Sequence, residues 1–297
     1  MENGRKWRAL WIWAQGNGED IEVVRFRRAF EAPEGGRLLV RVTADSRYRL
    51  YLNGELLAFG PAKGDQFTHY YDVVETPALR PGRNVIAAEV VHYGTDRGPK
   101  SVWRSPKGAF LFEGDVLDGA GGLYGTVDSD ASWSARREPG GAFALQKETF
   151  TLLIGGGESV DGRLLVHGWQ FPDYDDASWT EAVVVAKTHD SRWGVLPHWL
   201  LAERTIPLMR VETPPIRHVV RGRHEGKAVA RAAWNGPFGP VVVAAGETSV
   251  FELDAGELMS GHVRLEFAGG RGTKVAVLYS ECYEEPPGPD GRCGGAE

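Results

Sequence analysis

The feature that most constrains the fold is an alternating strand pattern that runs directly into an Asn-Gly pair. Residues 47–52 (RYRLYL) show the period-2 alternation of a half-buried β-strand. Asn53 and Gly54 follow at once, and residues 55–59 (ELLAF) resume the apolar pattern. A type I′ turn needs a positive φ at both central residues, a geometry that Asn-Gly adopts readily. The sequence therefore predicts a two-residue β-hairpin at this point.

The strand pattern recurs along the chain, and no segment shows a capped amphipathic helix. Residues 23–30, 37–44, 85–91 and 109–112 are predicted strands, with turn sequences between them. About one residue in five is Gly or Pro (39 and 17 of 297), compared with roughly one in eight in average proteins. These features predict an all-β protein of the sandwich or barrel type.

The length of 297 residues suggests about two domains, at roughly 150 residues each. We predict a jelly-roll (galactose-binding-like) β-sandwich over residues 1–206, with an irregular insertion at about 140–206. A second, smaller and incomplete β-sandwich is predicted over 207–285, followed by a disordered tail over 286–297. The strand candidates of the second unit are residues 240–243, 248–253, 262–267 and 274–279.

The charge distribution excludes several classes of partner. The net charge is -6, and no block of Lys and Arg forms a basic stripe, so nucleic-acid binding is not predicted.

No apolar run approaches the roughly 20 residues of a membrane span, and the apolar stretch near the N-terminus is too short for a signal peptide. Cys282 and Cys293 both lie near the C-terminus and suggest no disulfide framework. A cytoplasmic location is the default expectation.

An acidic turn that leads into a tryptophan occurs twice. Residues 128–133 (DSDASW) resemble residues 173–179 (DYDDASW). Asp173, Asp175 and Asp176 form the densest acidic cluster, and capping of the turn's N–H groups is the main interpretation. A calcium site is an alternative, because hard cations prefer several oxygen ligands, and a catalytic carboxylate pair is a further one. No other cofactor is predicted.

Three tryptophans in irregular stretches are candidates for carbohydrate binding. The apolar face of a sugar ring stacks on flat aromatic side chains, and loops between sandwich strands often carry such sites. Trp103 lies in a loop rich in Gly, Pro, Lys and Arg, and Trp193 and Trp199 lie in a second irregular stretch. Packing, or docking against another domain, is the alternative role for all three.

Several segments, in the expected order, resemble the non-catalytic N-terminal part of bacterial α-L-rhamnosidases of glycoside hydrolase family 78. The segments are residues 7–13 (WRALWIW), 25–30 (RFRRAF), 44–54 (ADSRYRLYLNG), 60–61 (GP), 70–73 (YYDV), 81–87 (PGRNVIA), 168–169 (GW), 175–179 (DDASW), 253–257 (LDAGE) and 260–263 (SGHV).

The resemblance implies a role beside a catalytic (α/α)6 barrel that hydrolyses terminal α-L-rhamnosyl groups with inversion. The chain has neither the family's Arg-Asp-Glu motif nor a helical repeat. We therefore expect an accessory region that is inactive alone, with the missing barrel and rhamnose-containing glycans as partners. A free-standing carbohydrate-binding module and a structural protein-interaction domain are the alternatives.

Overall fold

The computed structural model confirms an all-β chain, since every regular element among the described residues is a β-strand. By contact the chain divides into two compact units, residues 1–208 and 209–297. The described part contains no helix that is long and apolar enough to cross a membrane. The structure describes residues 6–16, 21–65, 67–94, 105, 107–139, 142–146, 157–188, 199–216, 218–230 and 238–280.

The first unit contains two sheets that form a sandwich. The first sheet has the order β14-β1-β8-β3-β6-β15, with β9 also paired to β8. All of its pairs are antiparallel except the parallel pair of β15 with β6. Its strands are β1 (Leu10–Trp13), β3 (Arg37–Asp45), β6 (His69–Glu75), β8 (Ala109–Leu117), β9 (Leu123–Asp128), β14 (Val183–Lys187) and β15 (Leu201–Glu203).

The second sheet is antiparallel throughout and has the order β13-β10-β2-β7-β4-β5. Its centre is the long pair β2–β7, which runs from Glu22 opposite His92 to Ala32 opposite Gly82. Its strands are β2 (Glu22–Ala32), β4 (Arg47–Leu52), β5 (Glu55–Gly60), β7 (Gly82–His92), β10 (Ser134–Arg137) and β13 (Thr180–Glu181).

The main core lies between these two sheets. Alternate residues of β2, β3, β7 and β8 point inward, among them Phe26, Val40, Ile86 and Phe112. Trp133 closes this core from the first acidic turn and packs near Phe110 and Phe112. This arrangement confirms the sandwich and is consistent with the predicted jelly-roll.

The Asn-Gly hairpin is confirmed in detail. Leu52 pairs with Glu55 across a two-residue loop, and Asn53 and Gly54 have φ values of 52° and 95°. The side chain of Asn53 also accepts a hydrogen bond from Val85 N–H at 2.9 Å. The turn is therefore tied to β7 as well as to its own strands.

A small two-stranded sheet completes the described part of the first unit. It consists of β11 (Phe143–Gln146) and β12 (Gly157–Val160), within the region predicted to be irregular.

The second unit contains a three-stranded antiparallel sheet in the order β17-β16-β18. The strands are β16 (His218–His224), β17 (Lys227–Ala230) and β18 (Val250–Asp254). The strand predicted at 248–253 is therefore present, whereas residues 240–243, 262–267 and 274–279 form no strand. The predicted second sandwich over 207–285 stays a prediction, and the tail from 286 lies outside the described residues.

Candidate functional site

A buried carboxylate lies where the chain leaves the first sheet and enters the second. Asp45 ends β3, and its side chain is completely buried. Its Oδ2 accepts hydrogen bonds from Ser105 N–H at 2.5 Å and from Trp199 Nε1–H at 3.0 Å. The carboxylate therefore anchors two residues that are far apart in the sequence.

These two residues belong to the two irregular stretches whose tryptophans were predicted to contact sugar. Ser105 comes directly after residues 95–104, and Trp199 comes directly after residues 189–198. Trp103 and Trp193 belong to these stretches and lie outside the described residues, so their predicted role stays a prediction. Within the described structure, the first residue after each of these ranges donates a hydrogen bond to the same carboxylate.

Trp199 itself serves as a packing anchor in the structure. Only 3% of the residue is exposed, and its ring stacks on Trp11 with centroids 4.3 Å apart. A sugar ring needs an exposed aromatic face, and almost none of this indole reaches solvent. The position of Trp199 therefore favours packing rather than the predicted contact with sugar.

His92 completes the surroundings of Asp45. The His92 Nε2 atom lies 3.8 Å from Asp45 Oδ1 and 3.0 Å from the carbonyl oxygen of Ser105. Burial raises the pKa of Asp45, while the hydrogen bonds from Ser105 and Trp199 and the nearby His92 oppose this shift. The group is thus a hydrogen-bond acceptor at the centre of a structural junction.

A second buried carboxylate lies in the neighbouring strand β6. Asp72 is fully buried; it accepts a hydrogen bond from the Tyr48 hydroxyl and one from Arg204 Nη1 at 3.1 Å. Burial, together with the charge of Asp72, raises the pKa of Tyr48 well above its usual value. This network fixes the segment after β15 to the sandwich.

The described cavity at this end of the sandwich is small. It has a volume of about 10 Å³ and is bordered by Ser46, Pro61, Lys63 and His69, among others. Such a volume admits about one water molecule, so these residues alone do not enclose a sugar ring.

The three candidate metal ligands lie on a segment that crosses the outer face of the second sheet. Asp176 Oδ2 accepts a hydrogen bond from Arg27 Nε at 3.1 Å, and Asp175 Oδ1 caps Ala177 N–H at 3.0 Å. Asp173 is exposed. Among the described residues no group of three or more His, Cys, Asp or Glu side chains could hold a metal ion. The geometry thus favours the capping interpretation, and a calcium site there stays a prediction.

Comparison with known proteins decides the family. The family described as "Alpha-L-rhamnosidase N-terminal domain" matches residues 37–193, which is more than half of the chain. The chain belongs to the α-L-rhamnosidase N-terminal domain family. The matched range includes the long strands β3, β7 and β8, Asp45 and the second acidic turn, and it begins after β2.

Individual rhamnosidases agree with this family assignment. An α-L-rhamnosidase of Streptomyces avermitilis is 25% identical over 279 residues, which is 90% of this chain and 22% of that protein. The GH78 rhamnosidase of Bacillus sp. GL1 is 30% identical with a TM-score of 0.57, over 74% of this chain and 22% of its own.

The α-L-rhamnosidase of Dictyoglumus thermophilum shares the fold, with a TM-score of 0.55 and 20% identity over 73% of this chain and 24% of its own. The chain thus spans between a fifth and a quarter of the length of these relatives.

Sequence reasoning named Trp199 as a candidate but did not connect it with Asp45 and Ser105, which lie at the same end of the rhamnosidase N-terminal domain. Asp45 lies in the segment 44–54 that carries part of the family resemblance, but no residue pattern around it indicates that its side chain is buried. Its partners Ser105 and Trp199 are 60 and 154 residues away. Only the tertiary structure brings these groups together.

Proposed function

We propose that the chain is an accessory, non-catalytic region of an α-L-rhamnosidase-like glycoside hydrolase that supports a catalytic barrel and contacts carbohydrate. The single observation that carries the proposal is the family match over residues 37–193, on a sandwich that resembles the corresponding part of a GH78 rhamnosidase. Rhamnose-containing glycans are the proposed ligands, and a helical barrel is the proposed partner.

We call the hydrogen-bonded group of Asp45, Ser105 and Trp199 the Asp45 junction. Its position supports this end of the sandwich as the place of carbohydrate contact. Ser105 and Trp199 are held by one buried carboxylate, so each of the two preceding ranges ends next to a residue that is fixed in the sandwich. Loops on a rigid scaffold are where binding residues are concentrated. We propose that Trp103 and Trp193 provide the aromatic surfaces.

Calorimetric titration of the whole chain tests the binding proposal. The sugars are L-rhamnose and rhamnose-containing oligosaccharides, each with and without calcium. We expect weak binding that Trp103→Ala and Trp193→Ala each reduce by about tenfold, because one aromatic stacking contact contributes roughly 1 kcal/mol or more. Tyr124→Ala is the matched control, since this exposed aromatic residue lies on β9. Absence of heat with every sugar would contradict the binding proposal.

An activity assay tests the accessory role. We expect the pure chain to release no rhamnose from an aryl α-L-rhamnoside, and the same substrate to be hydrolysed by a protein in which a helical barrel follows this region. Rhamnose release by the 297-residue chain alone would contradict the proposal. A cytoplasmic location is proposed from the sequence alone.

A further inference from the structure

A cavity of about 210 Å³ lies on the outer face of the second sheet, far from the Asp45 junction. Its polar wall contains Arg27, Arg28, Arg83, Ser134 and Asp176. Arg83 is the second residue of β7, and His92, beside Asp45, is the last. The nine residue steps from Arg83 to His92 span roughly 30 Å. The cavity is therefore a different place from the proposed carbohydrate-contacting end.

The wall of this cavity carries an excess of positive charge. Arg27 is balanced by Asp176, whose Oδ2 accepts from its Nε at 3.1 Å. Arg28 and Arg83 instead donate to neutral carbonyl oxygens, those of Ser132 and Pro172, each at 2.7 Å.

Among the described residues, neither Arg28 nor Arg83 forms an ion pair with a carboxylate. Glu31 is opposite Arg83 in the β2–β7 register, yet these two side chains form no salt bridge. Arg28 and Arg83 thus border the cavity without a carboxylate partner among the described residues, in a chain with net charge -6.

The arginines are held in place before any ligand arrives. Arg27 is only 2% exposed and donates to the carbonyl oxygens of Phe171 at 3.0 Å and Tyr174 at 3.2 Å. Arg28 and Arg83 are each fixed through one nitrogen, Nη1, which leaves their other N–H groups for a ligand. Such preorganisation lowers the entropic cost of binding.

We propose that this cavity binds the carboxylate of an acidic sugar. A guanidinium group binds a carboxylate through two parallel N–H···O bonds, and two such groups line one wall. The volume is below the roughly 300–1,000 Å³ of drug-sized sites, so a single sugar-acid residue is the appropriate size. The hydroxyl of Ser134 lies at the same wall, where it can bond a sugar hydroxyl. The assignment of the anion to a sugar rests on the proposed function. The preference for an anion rests on the arginines of the cavity alone.

The test is a titration of the full chain at low ionic strength with D-galacturonate, D-glucuronate, D-galactose and inorganic sulfate. We expect a uronate to bind about tenfold more tightly than galactose, because a hydrogen bond to a charged group contributes more than a neutral one. Added salt should weaken the uronate binding. Arg28→Gln and Arg83→Gln should each reduce uronate affinity by about tenfold.

Arg37→Gln is the matched control, because it removes one surface arginine of the first sheet, where Arg37 pairs with Glu75. This variant should keep the affinity for uronate. Equal affinity for galacturonate and galactose would overturn the proposal, as would unchanged uronate affinity in both cavity variants. Tighter binding of sulfate than of either uronate would overturn the sugar-acid assignment.

If a cavity variant fails to fold, the preference of the native chain for uronate over galactose decides the question. Uronate binding at the cavity does not depend on Trp103 or Trp193. Loss of rhamnose binding in Trp103→Ala or Trp193→Ala therefore concerns the proposed function only. Uronate binding that those variants retain would support this second site.

Discussion

Buried polar side chains form hydrogen bonds with one another at the end of the first sheet that contains Asp45. His69 begins β6, and its Nε2 atom lies 3.0 Å from the Thr43 hydroxyl, which donates in turn to the carbonyl oxygen of Tyr70. Burial lowers the pKa of His69 from 6.5 to about 4. The folded protein therefore holds this imidazole neutral where the unfolded chain would be protonated.

The pH dependence of stability follows from this shift. Below pH 6.5 the unfolded chain binds a proton at His69 that the folded chain excludes, so stability decreases as the pH falls from about 6.5 to about 4. The total loss from this residue is about 3 kcal/mol. We expect urea denaturation of the protein between pH 4 and pH 7 to show this decrease, and His69→Gln to make it smaller.

His167→Gln is the control for that experiment, because this histidine is exposed on the segment over the second sheet. The control should keep the decrease of the parent protein. If His69→Gln also keeps the full decrease between pH 6.5 and pH 4, burial of His69 is not its cause.

At the scale of elements, the two acidic turns adopt the same geometry but place their tryptophans differently. Trp133 N–H donates to Asp130 O and Trp179 N–H to Asp176 O, so each turn closes in the same way. The short strands that follow, β10 and β13, pair with each other. Trp133 enters the core between the sheets, whereas Trp179 packs with Trp169 on the outer face of the second sheet. One sequence motif thus serves two different hydrophobic clusters.

The hairpin turn gives a prediction about side-chain space. A Cβ atom at Gly54 would lie 2.3 Å from the ring of Phe171, and the φ of Gly54 is +95°. Gly54→Ala therefore adds a steric clash to backbone strain. We expect a loss of about 2–3 kcal/mol in the free energy of unfolding, measured by denaturant titration.

Gly121→Ala separates the two contributions. Gly121 has a similar φ of +86°, but no atom lies within 4 Å of an added Cβ. This variant should lose only about 1 kcal/mol, the cost of backbone strain alone. Equal losses at the two positions would show that the contact with Phe171 contributes nothing.

The segment over the second sheet is held by one buried arginine. Arg27 bonds to Asp176 and to the carbonyl oxygens of Phe171 and Tyr174, and its guanidinium lies 5.2 Å from the ring centre of Tyr174. We expect Arg27→Met to lower the free energy of unfolding by about 3–5 kcal/mol, because it leaves these acceptors without a partner. Hydrogen exchange at residues 168–179 should become faster than in the parent protein.

Arg49→Met is the comparison for this change. Arg49 lies on β4 of the same sheet, but its side chain is 59% exposed and pairs with Glu89 at 3.5 Å. Its loss should be below about 1 kcal/mol. A loss at Arg27 as small as that at Arg49 would contradict the role of the buried guanidinium.

At the scale of the whole molecule, the chain consists of two units that differ in how many of their apolar side chains are buried. Residues 1–208 contain both large sheets and their common core. In the second unit, side chains of residues 258–280 such as Leu265, Phe267 and Leu278 are exposed. We expect residues 1–208, expressed alone, to keep the β-sheet circular dichroism and the cooperative tryptophan-fluorescence transition of the full chain.

A shift of the unfolding midpoint by more than about 5 °C would contradict this independence, since a change of 1 kcal/mol shifts a domain of this size by roughly 2–4 °C. A fragment ending at residue 188 is the control. It lacks β15 and Trp199, so Asp45 and Tyr71 lose partners within the sandwich. This shorter fragment should be clearly less stable.

The success of sequence-based prediction differed between the two units. Strands β2, β3 and β7 and the hairpin were predicted close to their observed bounds, because alternation and turn chemistry are local signals. For β8 the prediction covered only residues 109–112, the first four of its nine residues. The strands predicted at 240–243, 262–267 and 274–279 were wrong: among the described residues, none of these segments has a neighbouring strand that completes its hydrogen bonds.

The sequence also did not indicate the β16–β17 hairpin, whose turn is Glu225-Gly226 with φ values of 49° and 69°. A glutamate with positive φ is uncommon, so the usual turn signal was absent.

The amino-acid sequence by itself determined the all-β class, the Asn-Gly turn and the apolar faces of the long strands, because these depend on residues next to one another. The tertiary structure alone decided that β1 pairs with β14, that Ser105 and Trp199 share Asp45, and that Arg28 and Arg83 line one cavity. These contacts join residues 55 to 177 positions apart. A pattern along the sequence does not indicate which distant groups the packed sheets bring within bonding distance.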